Sequence, residues 1–434
     1  IYLINFVEKH NANLVLNLNN PEYDKTNDKV YLATHSLKQL NILSQHSKTK
    51  LSSLLNFLNR CQTNMGKRKF KHQLLHPTYD EDYLIKEYEI IEYILNNYEN
   101  FQIIKNNLAT IKDIEKLERK IILNKVTPND IVELFSNANT LIEIINIIEK
   151  YDTLNKYIIS NTSSELKSNT KKLVTFLEKY INFSIAMNIT KIKEPINFFK
   201  KNIFNHLDKS YKNHIENKQK LTIIQGFLSN ILEKKEKKKS TTKSLIKIHT
   251  TEKSGLWLQA TSKRCAVLKS YIENMKNKEI KLSYISKYSN TEEEFILSLK
   301  NFKCIKTSQS NQKIKCESLN NLYDSILRSS YILLELIQQC YNAFINKLKE
   351  YFNEIRSIID FSGLIDFVLT KAFIARELNY CKPVINGCKE KSYLNAKAIR
   401  HPLIEHINTD ELYEPNDVSL GDNVNGILLY GTNA

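Results

Sequence analysis

Apolar residues recur every three or four positions along most of the chain, which is the spacing that aligns them on one face of an α-helix. Leu54, Leu55 and Leu58 mark an early face of this kind. Two later stretches, residues 204–231 and 319–355, keep this spacing for much longer. Such a sustained three-four repeat of apolar residues is also found in coiled coils. At about 1.5 Å per residue the second would extend roughly 60 Å. The pattern predicts a mainly helical protein in which two long helices run out and back.

The segment between these two stretches has a different pattern. Ser244–Thr250 and Leu256–Thr261 alternate apolar with polar residues around a Ser-Gly pair, which is typical of a β-hairpin. Pieces near Ile280–Ile285 and Lys313–Cys316 could add further strands. We therefore predict a small β-rich module, inserted between the long helices and standing apart at their far end.

The C-terminal part of the chain changes composition again after Pro383. Val384–Ile385, Ala396–Ile399 and Gly426–Tyr430 look like short strands separated by turns. The last of them runs into Gly431, and a strand followed by a glycine-led turn is how a phosphate-binding loop begins. Because that combination is also common elsewhere, it favours a nucleotide-binding domain only weakly by itself.

Composition narrows the class of protein. Only 8 Gly and 7 Pro occur in 434 residues, too few for the many tight turns of an all-β or Rossmann-type fold. There is no run of about 18 apolar residues, so no transmembrane helix is expected. Seven scattered cysteines without a Cys-x-x-Cys pair indicate reduced thiols inside a cell, and neither a disulfide framework nor a zinc site. The chain begins with Ile1, and we expect it to be an internal piece of a longer protein.

The positive charge is concentrated in the inserted segment. Residues 234–315 hold 20 Lys and Arg against 7 Asp and Glu, a net charge of +13 out of +16 for the whole chain. A basic field of this size is the electrostatic footprint of a polyanion site. A lysine run such as 234–239 can also be a solvated surface, but the excess continues well beyond that run. The charge therefore indicates nucleic-acid contact in the insert.

Several short motifs follow one another along the chain. They are Thr63-Asn64-Met65-Gly66-Lys67-Arg68 with a helix ending at His76-Pro77, the acidic and leucine-containing helix Asp113–Arg119, the helical segment Asp360–Tyr380 before Lys382-Pro383, Arg400-His401-Pro402, Tyr413 with Asn416, and Gly431-Thr432-Asn433-Ala434. Together and in this order, they resemble the motifs of the MutS family of DNA mismatch repair proteins. Thr432 and Ala434, where many relatives have Pro and Met, resemble the organellar and large-virus branches.

The resemblance covers essentially the whole chain and implies its domain organisation. Residues 1–35 would be the end of a connector, 36–243 the helical core and outgoing lever, 244–318 a β-rich DNA clamp, 319–380 the returning lever, and 381–434 the first strands of an α/β P-loop ATPase domain. The mismatch-reading domain would lie before this chain and the rest of the Walker A loop after it. The chain alone is therefore expected neither to hydrolyse ATP nor to discriminate a mismatch.

The resemblance also implies binding residues. The family's clamp grips the backbone of double-stranded DNA, which suits lysines because phosphates carry no sequence information. The candidates in the insert are Lys247, Lys253, Lys263, Arg264, Lys281, Lys306, Lys313 and Lys315. Each could equally be a solvated side chain. Trp257, the only Trp, alternates with two leucines, which favours a packing role over stacking on a base.

A nucleotide site is implied near the C-terminus. Tyr413 would stack on adenine, Asn416 would support its loop, and Gly431, Thr432 and Asn433 would begin the phosphate cradle. ATP and Mg²⁺ are expected in the longer protein only, which would dimerise through its ATPase domain. His401 has no metal-ligand partner at a suitable spacing, so we interpret it as structural. No hydrolase constellation stands out. The remaining alternative is a basic helical scaffold that binds nucleic acid without ATPase activity.

Overall fold

The computed structural model describes residues 2–10, 15, 29–44, 49–236, 245–251, 255–387, 392–407, 413–421 and 424–428. Over these residues the fold is mainly helical, as the apolar spacing predicted, and it contains three small antiparallel sheets. Two compact units can be distinguished. Unit 1 comprises Ile1–Thr110, Ile147–Asn161 and Asp360–Ala434, and unit 2 comprises Ile111–Asn146 and Thr162–Ile359.

The helices, numbered in chain order over the described residues, vary from one turn to nearly nine turns. They are α1 Tyr2–His10, α2 Thr34–Gln39, α3 Leu54–Leu58, α4 Asn64–Leu75, α5 Glu81–Asn96, α6 Tyr98–Thr110, α7 Ile114–Ile122, α8 Pro128–Ile148, α9 Asp152–Asn161, α10 Leu166–Tyr180, α11 Phe183–Ala186, α12 Asn205–Glu236, α13 Ser262–Glu273, α14 Glu317–Leu348, α15 Phe352–Glu377 and α16 Ile404–Ile407.

The strands form a four-stranded sheet of order β1-β2-β6-β5 and two hairpins, β3-β4 and β7-β8. Their bounds are β1 Lys247–Thr251, β2 Gly255–Thr261, β3 Glu279–Ile285, β4 Glu292–Ser298, β5 Lys303–Lys306, β6 Asn311–Lys315, β7 Leu394–Ile399 and β8 Asn416–Leu420. The predicted hairpin around Ser254-Gly255 is confirmed as β1-β2, and the predicted strand near Ile280 is confirmed as β3.

The Thr-x-Met-Gly motif of unit 1 is explained by a buried carboxylate on α15. Thr63 is the N-cap of α4, and its hydroxyl accepts from the backbone N–H of Gly66 at 2.9 Å. Asp366 accepts from the backbone N–H of Gln62 at 3.0 Å and from both the N–H and the hydroxyl of Thr63 at 2.7 Å. A Cβ at Gly66 would lie 2.2 Å from Asp366 Oδ2, so the glycine is what allows α4 and α15 to approach. The motif is therefore a packing device.

The Arg-His-Pro motif is structural as well. His401 Nδ1 accepts from the backbone N–H groups of Leu403 and Ile404, both at 3.2 Å, and so stabilises the start of α16. The predicted structural role of His401 is confirmed by these bonds. Arg400 donates to the carbonyls of Leu378 and Asn379 and to Glu405, which fixes the turn after β7.

The two long helices α12 and α14 pack antiparallel in unit 2, as predicted. His214 Nδ1 lies 2.8 Å from Ser329 Oγ, and Asn217 Nδ2 donates to Ser325 Oγ at 3.3 Å, so the numbering rises on one helix as it falls on the other. The second helix ends at Leu348, where a 3₁₀ turn, Lys349–Tyr351, precedes α15.

The inserted segment does not stand apart from the helix pair, which corrects one expectation. Its apolar side chains share one core with residues 221–232 of α12 and 319–326 of α14. The β3-β4 hairpin also lies back along α12, where the Gln219 side chain donates to the carbonyl of Ile285 at 2.5 Å and accepts from the N–H of Lys287 at 2.9 Å. Shared burial of apolar surface is the physical reason, since a sheet this small lacks a core of its own.

The C-terminal strands follow the sequence prediction only in part. Ala396–Ile399 lies within β7, which pairs with β8, a strand the pattern did not indicate. Val384–Ile385 is not a strand, and residues 426–428 are not in one either, while Gly431, Thr432, Asn433 and Ala434 lie outside the described residues. The strand at Ala396–Ile399 is therefore confirmed, whereas its place in an ATPase domain stays a prediction.

The helix α8 is the one described helix whose length and apolar composition would allow it to cross a membrane. Only 44% of its most apolar window is buried, and that buried share includes Ile131, Leu134 and Leu141, which expose no surface. Its Asp130 accepts from Lys120 at 2.6 Å and its Asn137 accepts from the backbone of Lys112 at 3.0 Å. Such polar contacts along its length are those of a helix within a protein core.

Candidate nucleic-acid interface

The four-stranded sheet of the insert has one face directed into the core and one face rich in lysine. Register partners across the sheet share a face, and Lys247 pairs with Gln259, Gln259 with Lys313, and Lys313 with Ile305. In the alternate row, the central residues Leu258 and Ile314 are fully buried, while Ile248 at its edge is partly exposed. Alternation thus separates a basic face from an apolar one.

We call the basic face of this sheet the lysine face. Its cationic members come from three of the four strands, and it also carries a stacked pair of aromatic rings. The lysine face consists of Lys247 and His249 on β1, Trp257 and Gln259 on β2, Lys303 and Ile305 on β5, and Lys313 and Lys315 on β6.

An aromatic centre organises this face. The rings of His249 and Trp257 stack at 4.7 Å with an interplanar angle of 12°. Trp257 Nε1 donates to Gln259 Oε1 at 3.3 Å, and the ammonium of Lys313 lies 4.8 Å from the centroid of the indole. Trp257 is only 6% exposed, so its predicted packing role is confirmed. The ring holds Lys313 in place by a cation–π contact.

Lys313 is in an environment that would favour an anion. Burial lowers the pKa of Lys313, the charge of Lys315 lowers it further, and Asp324 partly opposes both effects. Lys315 in turn pairs across the ladder with Lys303. The positive charges of Lys313 and Lys315 therefore oppose each other, and a phosphate bound beside them would relieve that repulsion.

A tyrosine of α14 joins the sheet to the long helix. The backbone N–H of Leu258 donates to the Tyr323 hydroxyl at 2.9 Å, and that hydroxyl donates to the carbonyl of Ile314 at 3.4 Å. The β2-β6 ladder ends at this pair of residues, so the hydroxyl bridges the two strands where they separate. Movement of α14 relative to the sheet would therefore disturb the strands that carry Trp257 and Lys313.

The structure brings three of the eight predicted DNA-binding residues together on the lysine face, namely Lys247, Lys313 and Lys315. Lys306 belongs to the opposite row of β5 and is exposed. Lys281 forms an ion pair with Glu294 across the β3-β4 hairpin. Lys253 lies outside the described residues.

The remaining two predicted cations lie at the start of α13. Lys263 is exposed there, whereas the Arg264 guanidinium donates to the carbonyl of Leu245 at 3.2 Å and ties the helix to the segment before β1. Sequence reasoning missed Lys303 because β5 was not predicted. Without that strand, the sequence could not show that Lys303 lies on the same face of the sheet as Lys315.

The predicted nucleotide-site residues are described only in part. The Tyr413 hydroxyl accepts from the backbone N–H of His401 at 3.1 Å, and Asn416 opens β8 with its side chain donating to the Glu414 carbonyl at 3.1 Å. The glycine-led turn lies outside the described residues, so its relation to Tyr413 stays a prediction. Within the described ranges no group of three or more His, Cys, Asp or Glu could hold a metal ion.

Comparison with known proteins places this geometry in context. The family model described as MutS domain III matches residues 35–372. A putative DNA mismatch repair protein mutS homolog of Acanthamoeba polyphaga mimivirus is 25% identical over 97% of the chain, and a mitochondrial DNA mismatch repair protein mutS homolog of Sarcophyton glaucum is 26% identical over 99%. The DNA mismatch repair protein MutS of Caldanaerobacter subterraneus is 25% identical over 99%. The chain spans 37%, 40% and 44% of these three relatives, respectively.

Proposed function

Because this chain belongs to the MutS family of DNA mismatch repair proteins, whose mimiviral and mitochondrial members are among its relatives, we propose that it supplies the part of such a protein that clamps duplex DNA by its backbone. The inserted sheet would contact phosphates, and the helix pair α12 and α14 would act as the lever behind it. Family membership favours this function over an unrelated nucleic-acid scaffold.

The lysine face is the observation that carries the proposal. Its cations come from separate strands, so their spacing is fixed by the sheet rather than by flexible loops. Lysines that contact phosphates give affinity without sequence preference, which suits a clamp that must hold any duplex. We expect matched and mismatched duplexes to bind this chain equally.

The lever role rests on how α14 is connected. Tyr323 joins its first turns to the sheet, and the antiparallel contacts through His214 and Asn217 join it to α12. A helix of 32 residues is about 48 Å long and transmits a displacement along its axis because its backbone bonds are internal. We propose that nucleotide-driven movement in the longer protein reaches the clamp by this route.

The longer protein would bind ATP and Mg²⁺ at a P-loop and dimerise through its ATPase domain, with Tyr413 and Asn416 beside the adenine. This chain alone should bind ATP weakly, because the P-loop lysine and further backbone amides make most phosphate contacts. Calorimetric titration of the chain with ATP and Mg²⁺ tests this expectation. Micromolar affinity would contradict it.

The clamp is tested by comparing two triple variants of equal charge. Lys247→Gln, Lys313→Gln and Lys315→Gln together should weaken binding of a short labelled duplex, measured by fluorescence anisotropy. The salt dependence should also flatten: the slope of log K against log salt should fall by about 0.9 for each phosphate that is no longer neutralised, or roughly 2 to 3 in all.

The matched control replaces three exposed lysines elsewhere, Lys86→Gln, Lys112→Gln and Lys116→Gln. It removes the same charge, so it should change the slope far less if the lysine face is the binding surface. Equal losses in both variants would mean that binding is diffuse electrostatic attraction, and the clamp assignment would then fail.

A further inference from the structure

A second basic site lies in unit 2, in the groove between α10 and the C-terminal end of α14. The groove has a volume of about 1070 Å³. Five of its lining residues are lysines, and hydroxyl groups line it beside them. The lysines are Lys167, Lys171, Lys172, Lys179 and Lys347.

The spacing of α10 explains why the lysines gather there. Lys167, Lys171 and Lys179, with Thr175 between them, follow one another at four-residue steps and so share one face. Lys167 and Lys179 are 12 positions apart, which is about 18 Å at 1.5 Å per residue. The apolar residues of α10, such as Leu173 and Leu177, are fully buried on the other side. The lysines of α10 thus lie along one face of the helix, opposite its buried apolar face.

The charge of four of the five groove lysines is not balanced by a carboxylate of the described residues. Glu350 is the one acidic residue among the described residues that line the groove. In the described part of the chain, no carboxylate lies within ion-pair distance of Lys171, Lys172, Lys179 or Lys347. On an ordinary solvated helix face both signs are mixed, whereas unpaired cations in a concave site raise the local positive potential and attract anions.

Aromatic side chains of the groove pack against one another and hold Lys347 in position. Phe176 stacks on Tyr351 at 4.4 Å, and the Lys347 ammonium donates to the Tyr180 hydroxyl at 3.2 Å. Lys347 is therefore held in position, which lowers the entropy it would lose on binding a phosphate. Tyr351 is half-buried and leaves part of its ring accessible in the groove.

We propose that this groove binds a single strand of nucleic acid, with its lysines on the phosphates and Tyr351 beside a base. The volume lies slightly above the range of small-ligand pockets, about 300–1,000 Å³, which leaves room for a few nucleotides of one strand. A row of cations beside an accessible aromatic ring is the combination that single-strand sites use. Ser164, Ser168 and Thr175 add hydroxyl donors for phosphate oxygens.

The test uses a labelled oligothymidylate, which stays unpaired, and the variant Lys171→Gln with Lys179→Gln. Both lysines are exposed, so the fold should be retained, and circular dichroism checks this. Oligonucleotide binding should weaken about tenfold or more, and the slope of log K against log salt should flatten by about 1.4, at 0.7 for each contact on a single strand. Tyr351→Ala should weaken binding about tenfold without changing that slope.

Three comparisons decide the outcome. The charge-matched control Lys112→Gln with Lys116→Gln should leave oligonucleotide binding unchanged, and equal losses in both variants would overturn the proposal. The groove variant should leave duplex affinity unchanged, and a parallel loss would make the groove part of a duplex surface instead. Inorganic triphosphate at equal ionic strength should compete poorly, and competition as strong as that of unlabelled oligonucleotide would also overturn it.

The result is separable from the clamp proposal. The triple substitution on the lysine face should impair duplex binding and leave oligonucleotide binding through the groove intact. Either surface can therefore fail its own test without affecting the other.

Discussion

Replacing Gly66 by Ala should destabilise unit 1 although alanine is the better helix former. The new Cβ would lie 2.2 Å from Asp366 Oδ2, 2.7 Å from its Cγ and 2.8 Å from its Cβ. Rotating the Asp366 side chain cannot relieve the last contact, because that Cβ is fixed to the backbone of α15. The two helices must therefore separate.

The loss of stability can be estimated from the packing and the hydrogen bonds that this separation disturbs. The carboxylate of Asp366 accepts three short hydrogen bonds from Gln62 and Thr63, and burial raises the pKa of this carboxyl although those bonds lower it. Overpacking costs about 1–3 kcal/mol, and weakening bonds to a buried carboxylate adds about 1–3 kcal/mol. The helix-propensity gain of about 1 kcal/mol offsets part of this. We expect a net loss of about 1–5 kcal/mol.

Urea unfolding followed by circular dichroism measures the loss, and the chain contains a matched control. Gly226 lies within α12, and apart from the adjoining helix backbone and chain neighbours no atom lies within 4 Å of the position of a new Cβ. Gly226→Ala should therefore stabilise the protein by about 0.5–1 kcal/mol, as expected for a helix interior. If Gly66→Ala proves neutral or stabilising as well, the account of the motif as a close-packing device is wrong.

Two further predictions concern the helix pair. Tyr323→Phe should lower the free energy of unfolding by about 1–3 kcal/mol, because the N–H of Leu258 and the carbonyl of Ile314 lose their partner; Tyr331→Phe on the same helix, at an exposed position, should change nothing. Burial, with the charge of Lys218, lowers the pKa of His214 from 6.5 to about 4. Since only the unfolded state then gains a proton between those values, stability should fall by about 2 kcal/mol from pH 7 to pH 5, and urea titrations of His214→Gln should show a flatter profile.

The sequence predicted the elements whose signal is local. The three-four spacing of α12 and α14 and the alternation around Gly255 depend only on neighbours along the chain, and both elements are present. The helix α13 was missed although Cys265, Leu268 and Ile272 repeat with helical spacing, because the surrounding segment was interpreted as strands. Local spacing thus identifies an isolated helix or hairpin more reliably than a helix that lies between strands of a small sheet.

The rest depends on contacts between distant parts of the chain. Nothing near Gly66 indicates that Asp366, 300 residues later, requires it to lack a Cβ. The lysine face likewise needs the register of all four strands before Lys247, Lys303 and Lys313 can be placed together. Charge density located the module, but only strand pairing could separate its basic face from its apolar one.

The most direct test of the clamp uses the single tryptophan. Trp257 lies within the lysine face under the ammonium of Lys313, so a phosphate that draws Lys313 away must change the surroundings of the indole. Titration with duplex DNA should change the tryptophan emission in step with the binding measured by anisotropy, and added salt should reverse both. If anisotropy shows the duplex bound to saturation while the emission of Trp257 stays constant, the DNA lies elsewhere on the protein.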